Sequence, residues 1–136
     1  MINHVSFCAN IIKLKSSGFI PKVGLILGSG LGSFAQQVEV TSKISFEDLS
    51  GFPKAGVGGH AGQLILGYIE GTKVAILQGR AHYYEHGKAD AMSVAIRTLK
   101  EIGCESLVLT NAAGAINKNV NPGDLMLITD HINMTG

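Results

Sequence analysis

Apolar and polar residues follow two spacings along the chain, one typical of amphipathic helices and one typical of buried strands. Apolar positions three or four residues apart predict helices over Val5–Lys15 and Ala89–Ile102, each closely followed by a glycine. Short continuous apolar runs predict strands at Val23–Leu27, Gln63–Tyr68, Lys73–Gln78, Ser106–Thr110 and Leu125–Thr129, with a weaker candidate at Ile44–Leu49. The second and third of these runs flank a turn at residues 70–72, which predicts a hairpin. This alternation predicts an α/β fold with a mostly parallel, twisted, mixed sheet flanked by helices.

Length and composition indicate a single domain over residues 1–136. The chain is 46% hydrophobic and 15% charged and contains 18 glycines, which favours a folded α/β domain over a disordered chain. The net charge is only +1 and the basic residues are scattered, so no nucleic-acid partner is indicated. No apolar run approaches the roughly 20 residues of a membrane span, and no signal-peptide pattern is present. We therefore expect a cytoplasmic protein with a small-molecule partner.

The two cysteines, Cys8 and Cys104, show neither metal-binding nor redox spacing. We expect both to be small buried groups in a reducing compartment.

A glycine-rich loop, Gly28–Ser33, directly follows the first predicted strand. Open α/β sheets bind ligands at the carboxyl ends of their strands, and backbone N–H groups in glycine-rich turns can surround an anion. The alternative is a tight turn without a ligand. A dinucleotide-binding fingerprint would need glycine in place of Ser33, although Glu47 and Asp48 lie near the distance from the loop at which that motif has its ribose-binding acid. A Walker A motif is absent.

A second loop, Gly79–Gly87, concentrates charged and polar side chains. Arg80 can bind phosphate in bidentate fashion, His82 can donate a further hydrogen bond, and Glu85 can hold the arginine or a water in position. The alternative is a solvated loop whose aromatic residues only pack. The segment His82–His86 also matches H-x-x-E-H, an inverted zinc-peptidase signature, but that chemistry needs a helix, and glycines bracket this segment. We therefore expect no metal site.

Five segments, taken in order, resemble the purine nucleoside phosphorylase family of the trimeric, smaller-subunit class. They are LILGSGLG, GFPKAGVGGHAGQL, GRAHYYE, TNAAGAIN and PGDLMLITDHIN, and they span nearly all of residues 23–133. The resemblance implies a nucleoside-phosphorylase-like fold and a pentosyltransferase of purine salvage. Such an enzyme uses inorganic phosphate to convert purine (deoxy)ribonucleosides to free purine and (deoxy)ribose 1-phosphate. Methylthioadenosine phosphorylases share the architecture, but the pair Tyr84 and Glu85 is more similar to the nucleoside phosphorylases proper.

The resemblance also implies roles for individual residues. Its phosphate site comprises Ser29, His60, Arg80, Ala81, His82 and the backbone N–H of Ala112. Tyr84 and Asn111 would contact the nucleoside, while His82 and Glu85 would act in catalysis. Phosphate is then a co-substrate, no cofactor is required, and the family form is a homotrimer.

The chain departs from the family pattern in two respects. His86 stands between Glu85 and Gly87, where the family usually continues directly with glycine. Family members are also considerably longer, so the resemblance covers their N-terminal part, and the residues that grip the purine ring are expected beyond Gly136. The alternative function is a truncated phosphate- or nucleoside-binding remnant that does not catalyse, and the remote alternative is the zinc peptidase.

Overall fold

The computed structural model describes residues 3–28, 30–53, 62–83 and 87–134. Within these ranges the chain forms two α-helices, α1 (His4–Lys15) and α2 (Ser93–Glu101). The strands are β1 (Val23–Ile26), β2 (Glu39–Ser45), β3 (Gln63–Ile69), β4 (Thr72–Gln78) and β5 (Ser106–Leu109). Two 3₁₀ segments, Gly32–Gln37 and Phe46–Asp48, follow β1 and β2. No helix in these ranges is long and apolar enough to cross a membrane.

The strands form one mixed sheet in the order β2-β3-β4-β1-β5. β1 pairs in parallel with β4 on one side and with β5 on the other. β3 runs antiparallel to both β2 and β4. The predicted α/β class with a mixed sheet is confirmed, but only two of the four pairings among the described strands are parallel. The parallel part is therefore the block β4-β1-β5 and not most of the sheet.

Both described helices pack on the same face of the sheet. The core on that face joins side chains from α1, α2 and four strands, including Cys8, Ile12, Ile26, Ile44, Leu64, Leu66, Ala75, Leu77, Ala95 and Leu99. A smaller cluster on the opposite face takes in the first 3₁₀ segment and comprises Leu27, Ala35, Val38, Ile65, Val74 and Ile76. Successive residues of β4 alternate between the two clusters. This strand is therefore buried on both faces, which accounts for its continuous apolar sequence.

The weaker strand candidate, Ile44–Leu49, is wrong in its bounds. The strand is β2, and the chain then turns through Phe46–Asp48 before Leu49 enters the core. β2 lies at the edge of the sheet and buries only Ile44, so its sequence lacks the apolar run that marks the central strands.

The predicted strand Leu125–Thr129 is also wrong. Among the described residues, no regular secondary structure lies between 110 and 134, and no strand pairs with this segment. Leu125 and Leu127 are 99% and 89% exposed. β5 does form where expected, but its residues are exposed and not buried.

Helix α2 begins at Ser93, four residues later than Ala89. Residues 89–92 form turns, and the N–H of Ser93 donates to the main-chain oxygen of Asp90 (2.8 Å). The apolar stripe that predicts the helix is otherwise placed as expected, since Ala95 and Leu99 are buried against the sheet.

Both cysteines are free thiols; Cys8 is fully buried, as expected, whereas Cys104 is only half-buried. Burial raises the pKa of Cys104 to about 11 and also raises the pKa of Cys8.

Because alkylating reagents attack the thiolate, we expect native Cys104 to react roughly 100-fold more slowly than an exposed cysteine near pH 8. Its rate should rise with pH until the pH approaches that raised pKa. Mass spectrometry after iodoacetamide labelling measures the reaction rate of Cys104, with urea-unfolded protein as the control. Equal rates in the native and the unfolded protein would contradict the prediction.

Candidate functional site

The carboxyl ends of three parallel strands meet at one edge of the sheet. Because β1 lies between β4 and β5 and is parallel to both, the residues that follow these strands emerge side by side. They are the glycine loop after β1, Gly79–Arg80 after β4 and Thr110–Asn111 after β5. β3 runs the opposite way, so its first residue, Gln63, pairs with Gln78 at this edge. Open α/β sheets bind ligands at this edge, here called the carboxyl edge.

Arg80 is held at the carboxyl edge by two hydrogen bonds. Its Nη1 donates to the main-chain oxygen of Thr110 (2.9 Å), and its Nε donates to Nε2 of His82 (3.1 Å). Since an arginine N–H can only donate, Nε2 of His82 accepts, and the neutral ring carries its proton on Nδ1. Arg80 and His82 are both half-buried. The permanent positive charge of Arg80 therefore has a defined position that is partly shielded from water.

Thr110 joins the loop after β1 to the loop after β5. Its Oγ1 accepts from the N–H of Gly28 (2.8 Å) and donates to the main-chain oxygen of Ile26 (3.2 Å). The two loops touch through their backbones, because a Cβ added to Gly28 would lie 2.4 Å from the main-chain oxygen of Thr110 and 2.8 Å from Cα of Asn111. Only a residue without a side chain allows this approach.

Two glutamines hold the other end of the glycine loop. Nε2 of Gln63 donates to Oε1 of Gln78 (2.6 Å), and Nε2 of Gln78 donates to the main-chain oxygen of Gly32 (3.4 Å). Between the two anchored ends the loop turns at Gly30, whose φ of +83° favours glycine. A loop fixed at both ends can present backbone N–H groups to an anion with little further loss of entropy.

Among the residues predicted for the site, the fold places Arg80, Ala81 and His82, after β4, at the same edge of the sheet as Asn111 and Ala112, after β5. Arg80, Ala81 and His82 follow β4, and the N–H of Ala81 donates to Sδ of Met92 (3.4 Å). Arg80 bonds the residue that precedes Asn111. Asn111 and Ala112 are exposed, and Nδ2 of Asn111 donates to the main-chain oxygen of Ala112 (3.4 Å).

Four further predicted residues, Ser29, His60, Tyr84 and Glu85, lie outside the described residues. The chain that carries His60 rejoins the described part of the structure at Gly62. A Cβ added to Gly79 would lie 3.5 Å from the main-chain nitrogen of Gly62. Gly62, the first described residue after His60, therefore lies beside the residue that precedes Arg80.

No site role is predicted from the sequence for Thr110, Gln63 or Gln78, although all three hold the loops of the carboxyl edge. Each is a half-buried polar residue at the end of a strand, beside a glycine-containing loop. That position is the signal by which they could have been found, because polar groups at the ends of buried strands need partners.

Within the described ranges, no three His, Cys, Asp or Glu side chains form a group that could hold a metal ion. Of the H-x-x-E-H match, Glu85 and His86 lie outside the described residues. The first histidine of the match, His82, accepts a hydrogen bond from Arg80. This contact suits an anion-binding site better than a zinc site, because the positively charged side chain of Arg80 lies directly against the ring nitrogen that would have to bind the metal ion.

Comparisons with known proteins reveal clear relatives. The family model of the phosphorylase superfamily matches residues 22–136. Over 116 residues the chain is 50% identical to purine nucleoside phosphorylase 1 of Geobacillus stearothermophilus, a match that covers 85% of this chain and 42% of that protein.

Solved structures show the same relationship. The chain resembles a purine nucleoside phosphorylase from Schistosoma mansoni in complex with acetate, with 38% identity and a TM-score of 0.79, over 90% of this chain and 45% of that one. It also resembles isoform 2 from the same organism in complex with cytosine and ribose-1-phosphate, with 38% identity and a TM-score of 0.78, over 89% of this chain and 42% of that one. The chain thus spans less than half the length of these relatives.

Proposed function

The chain belongs to the phosphorylase superfamily, and from this membership and the carboxyl edge we propose that it is the phosphate-binding part of a purine nucleoside phosphorylase. Such an enzyme splits the N-glycosidic bond of a purine (deoxy)ribonucleoside with inorganic phosphate and releases free purine and (deoxy)ribose 1-phosphate. One observation carries the proposal: Arg80 and the glycine loop both bond to Thr110 where three parallel strands end. The Schistosoma isoform 2 in complex with ribose-1-phosphate supports it, since that relative holds a sugar phosphate of this class.

Arg80 supplies the fixed charge of the proposed phosphate site. Nε and Nη1 are oriented by His82 and Thr110, so the remaining N–H groups of the guanidinium have defined directions for charge-assisted hydrogen bonds to phosphate oxygens. The backbone of the glycine loop supplies neutral N–H donors from the other side. Following the resemblance, Ser29, His60, Ala81, His82 and the N–H of Ala112 complete the site.

Phosphate acts in this proposal both as nucleophile and as electrostatic catalyst. When the C–N bond breaks, its electron pair leaves with the purine and positive charge develops on the ribose. A phosphate dianion (HPO4²⁻) held beneath the anomeric carbon stabilises that charge and then forms the new C–O bond, and the proton that the phosphate gives up is taken by the departing purine. Holding the two reactants in this geometry can lower the barrier by roughly 7–11 kcal/mol. Tyr84 and Asn111 would hold the sugar, while Glu85 and His82 would order the phosphate network.

The proposed reaction needs neither an organic cofactor nor a metal, because the co-substrate phosphate provides the stabilising charge itself. The proposed assembly is the homotrimer of the resembled class, and the proposed location is the cytoplasm.

Phosphate-dependent release of hypoxanthine from inosine tests the proposal. Chromatography should detect hypoxanthine and ribose 1-phosphate when phosphate is supplied, and neither product when it is omitted. Phosphate binding without turnover at high protein concentration would identify the chain as a non-catalytic remnant. The absence of both binding and turnover would contradict the proposed function.

A further inference from the structure

We infer that Thr110 is a positioning residue that sets the spacing between the glycine loop and Arg80 in the phosphate site. The inference rests on the proposed function and adds to it a residue outside the predicted set. Its basis is that the side chain and the main chain of Thr110 hold different parts of the site at the same time.

The side chain of Thr110 holds the glycine loop, and its main chain holds the arginine. Oγ1 accepts from the N–H of Gly28 (2.8 Å), and the main-chain oxygen accepts from Nη1 of Arg80 (2.9 Å). Gly28 follows β1 and Arg80 follows β4, whereas Thr110 follows β5. One residue directly after the third strand therefore connects the glycine loop to the guanidinium of Arg80.

The orientation of the Thr110 hydroxyl is itself fixed. Its proton is donated to the main-chain oxygen of Ile26 (3.2 Å), which also accepts from the N–H of Thr110 (3.1 Å). A hydroxyl has one proton and two acceptor sites, so with the proton committed to Ile26 an oxygen lone pair is available to Gly28. Serine can reproduce both bonds, whereas valine keeps the branched shape but can make neither.

Loss of the Thr110 hydroxyl would disturb the site where the loops after β1 and β5 are in close backbone contact. The N–H of Gly28 would lose its acceptor, and a buried donor without a partner favours any movement that lets it reach water. Gly28 is buried and in backbone contact with Thr110 and Asn111, so it can move only by separating the two loops. Because the main-chain oxygen of Thr110 also holds Arg80, that separation would change the distance between the loop and the guanidinium.

Calorimetric titration with inorganic phosphate tests the inference on Thr110→Val and Thr110→Ser. We expect Thr110→Val to bind phosphate roughly tenfold more weakly than the unsubstituted chain, and Thr110→Ser to bind it within about threefold. Rescue by serine separates the role of the hydroxyl from simple packing, because serine removes the methyl group and restores only the two hydrogen bonds.

Equal affinity of Thr110→Val and the unsubstituted chain, with binding lost in Arg80→Ala, would overturn the inference and leave the proposed function standing. The absence of phosphate binding by the unsubstituted chain would overturn both. If Thr110→Val does not fold, Thr110→Ala takes its place: a loss of roughly tenfold in Thr110→Ala, with affinity kept within about threefold in Thr110→Ser, supports the hydroxyl, and equal affinity of Thr110→Ala and the unsubstituted chain overturns the inference.

Discussion

Replacing Arg80 with alanine is expected to weaken the binding of inorganic phosphate roughly 30- to 1,000-fold, which corresponds to about 2–4 kcal/mol. Arg80 supplies the fixed positive charge at the carboxyl edge, and charge-assisted hydrogen bonds to phosphate are among the strongest available to a side chain. The substitution also removes the donor to Thr110 and His82. Isothermal titration calorimetry measures the affinity, and any phosphorolysis of inosine should fall in parallel.

Arg97→Ala is the matched control, because Arg97 is an exposed arginine on α2 and its loss changes the net charge equally. We expect its phosphate affinity to stay within about twofold of the unsubstituted chain, since exposed charges have weak, screened effects. Similar losses in both variants would contradict the role of Arg80 and would indicate that phosphate responds only to net charge.

Replacing Gly28 with alanine is expected to lower the free energy of unfolding by about 3 kcal/mol or more. The added Cβ would lie 2.4 Å from the main-chain oxygen of Thr110, and the other atoms that it meets also belong to backbone. A backbone cannot move aside by changing a rotamer, so the loops after β1 and β5 would have to separate. Urea denaturation followed by circular dichroism measures the loss, and phosphate binding should weaken with it.

Gly32→Ala provides the control within the same loop. A Cβ at Gly32 would meet nothing within 4 Å, and the residue begins a 3₁₀ segment. We therefore expect its free energy of unfolding to change by less than about 1 kcal/mol. Equal destabilisation by the two substitutions would show that the loop resists any side chain, which would contradict a specific contact between Gly28 and Thr110.

The central strands could be predicted from the sequence because burial on both faces leaves continuous apolar runs. Leu64 and Leu66 face one core cluster while Ile65 faces the other, so β3 needs no polar position in its middle. The edge strand β2 could not be placed in this way, since Ile44 is its only buried residue. At residues 125–129 the error is the opposite one, because an apolar run predicts a strand where none forms. Such a run becomes a strand only when another strand is present to pair with it.

The glycine loop, Arg80 and His82 could be proposed from the residue types that anions need and from their position after strands, whereas His60, Ala81 and Ala112 were implied only by the family resemblance. The antiparallel pairing of β3 with β4 confirms the hairpin that the sequence predicts around residues 70–72, and this direction places Gln63 beside Gln78. Thr110 was missed because its role depends on bonds to Gly28 and Arg80, which lie 82 and 30 residues away along the chain. Local spacing contains no information about such contacts.

Two-dimensional NMR of the isotopically labelled chain, titrated with inorganic phosphate, tests directly whether the carboxyl edge binds phosphate. We expect the resonances of the Gly28 and Gly30 amides, the Ala112 amide and the Arg80 side chain to shift together in a saturable manner. The amide of Gly71, in the turn between β3 and β4, should stay in place. Absence of saturable shifts, or shifts confined to residues away from the carboxyl edge, would contradict a phosphate site there.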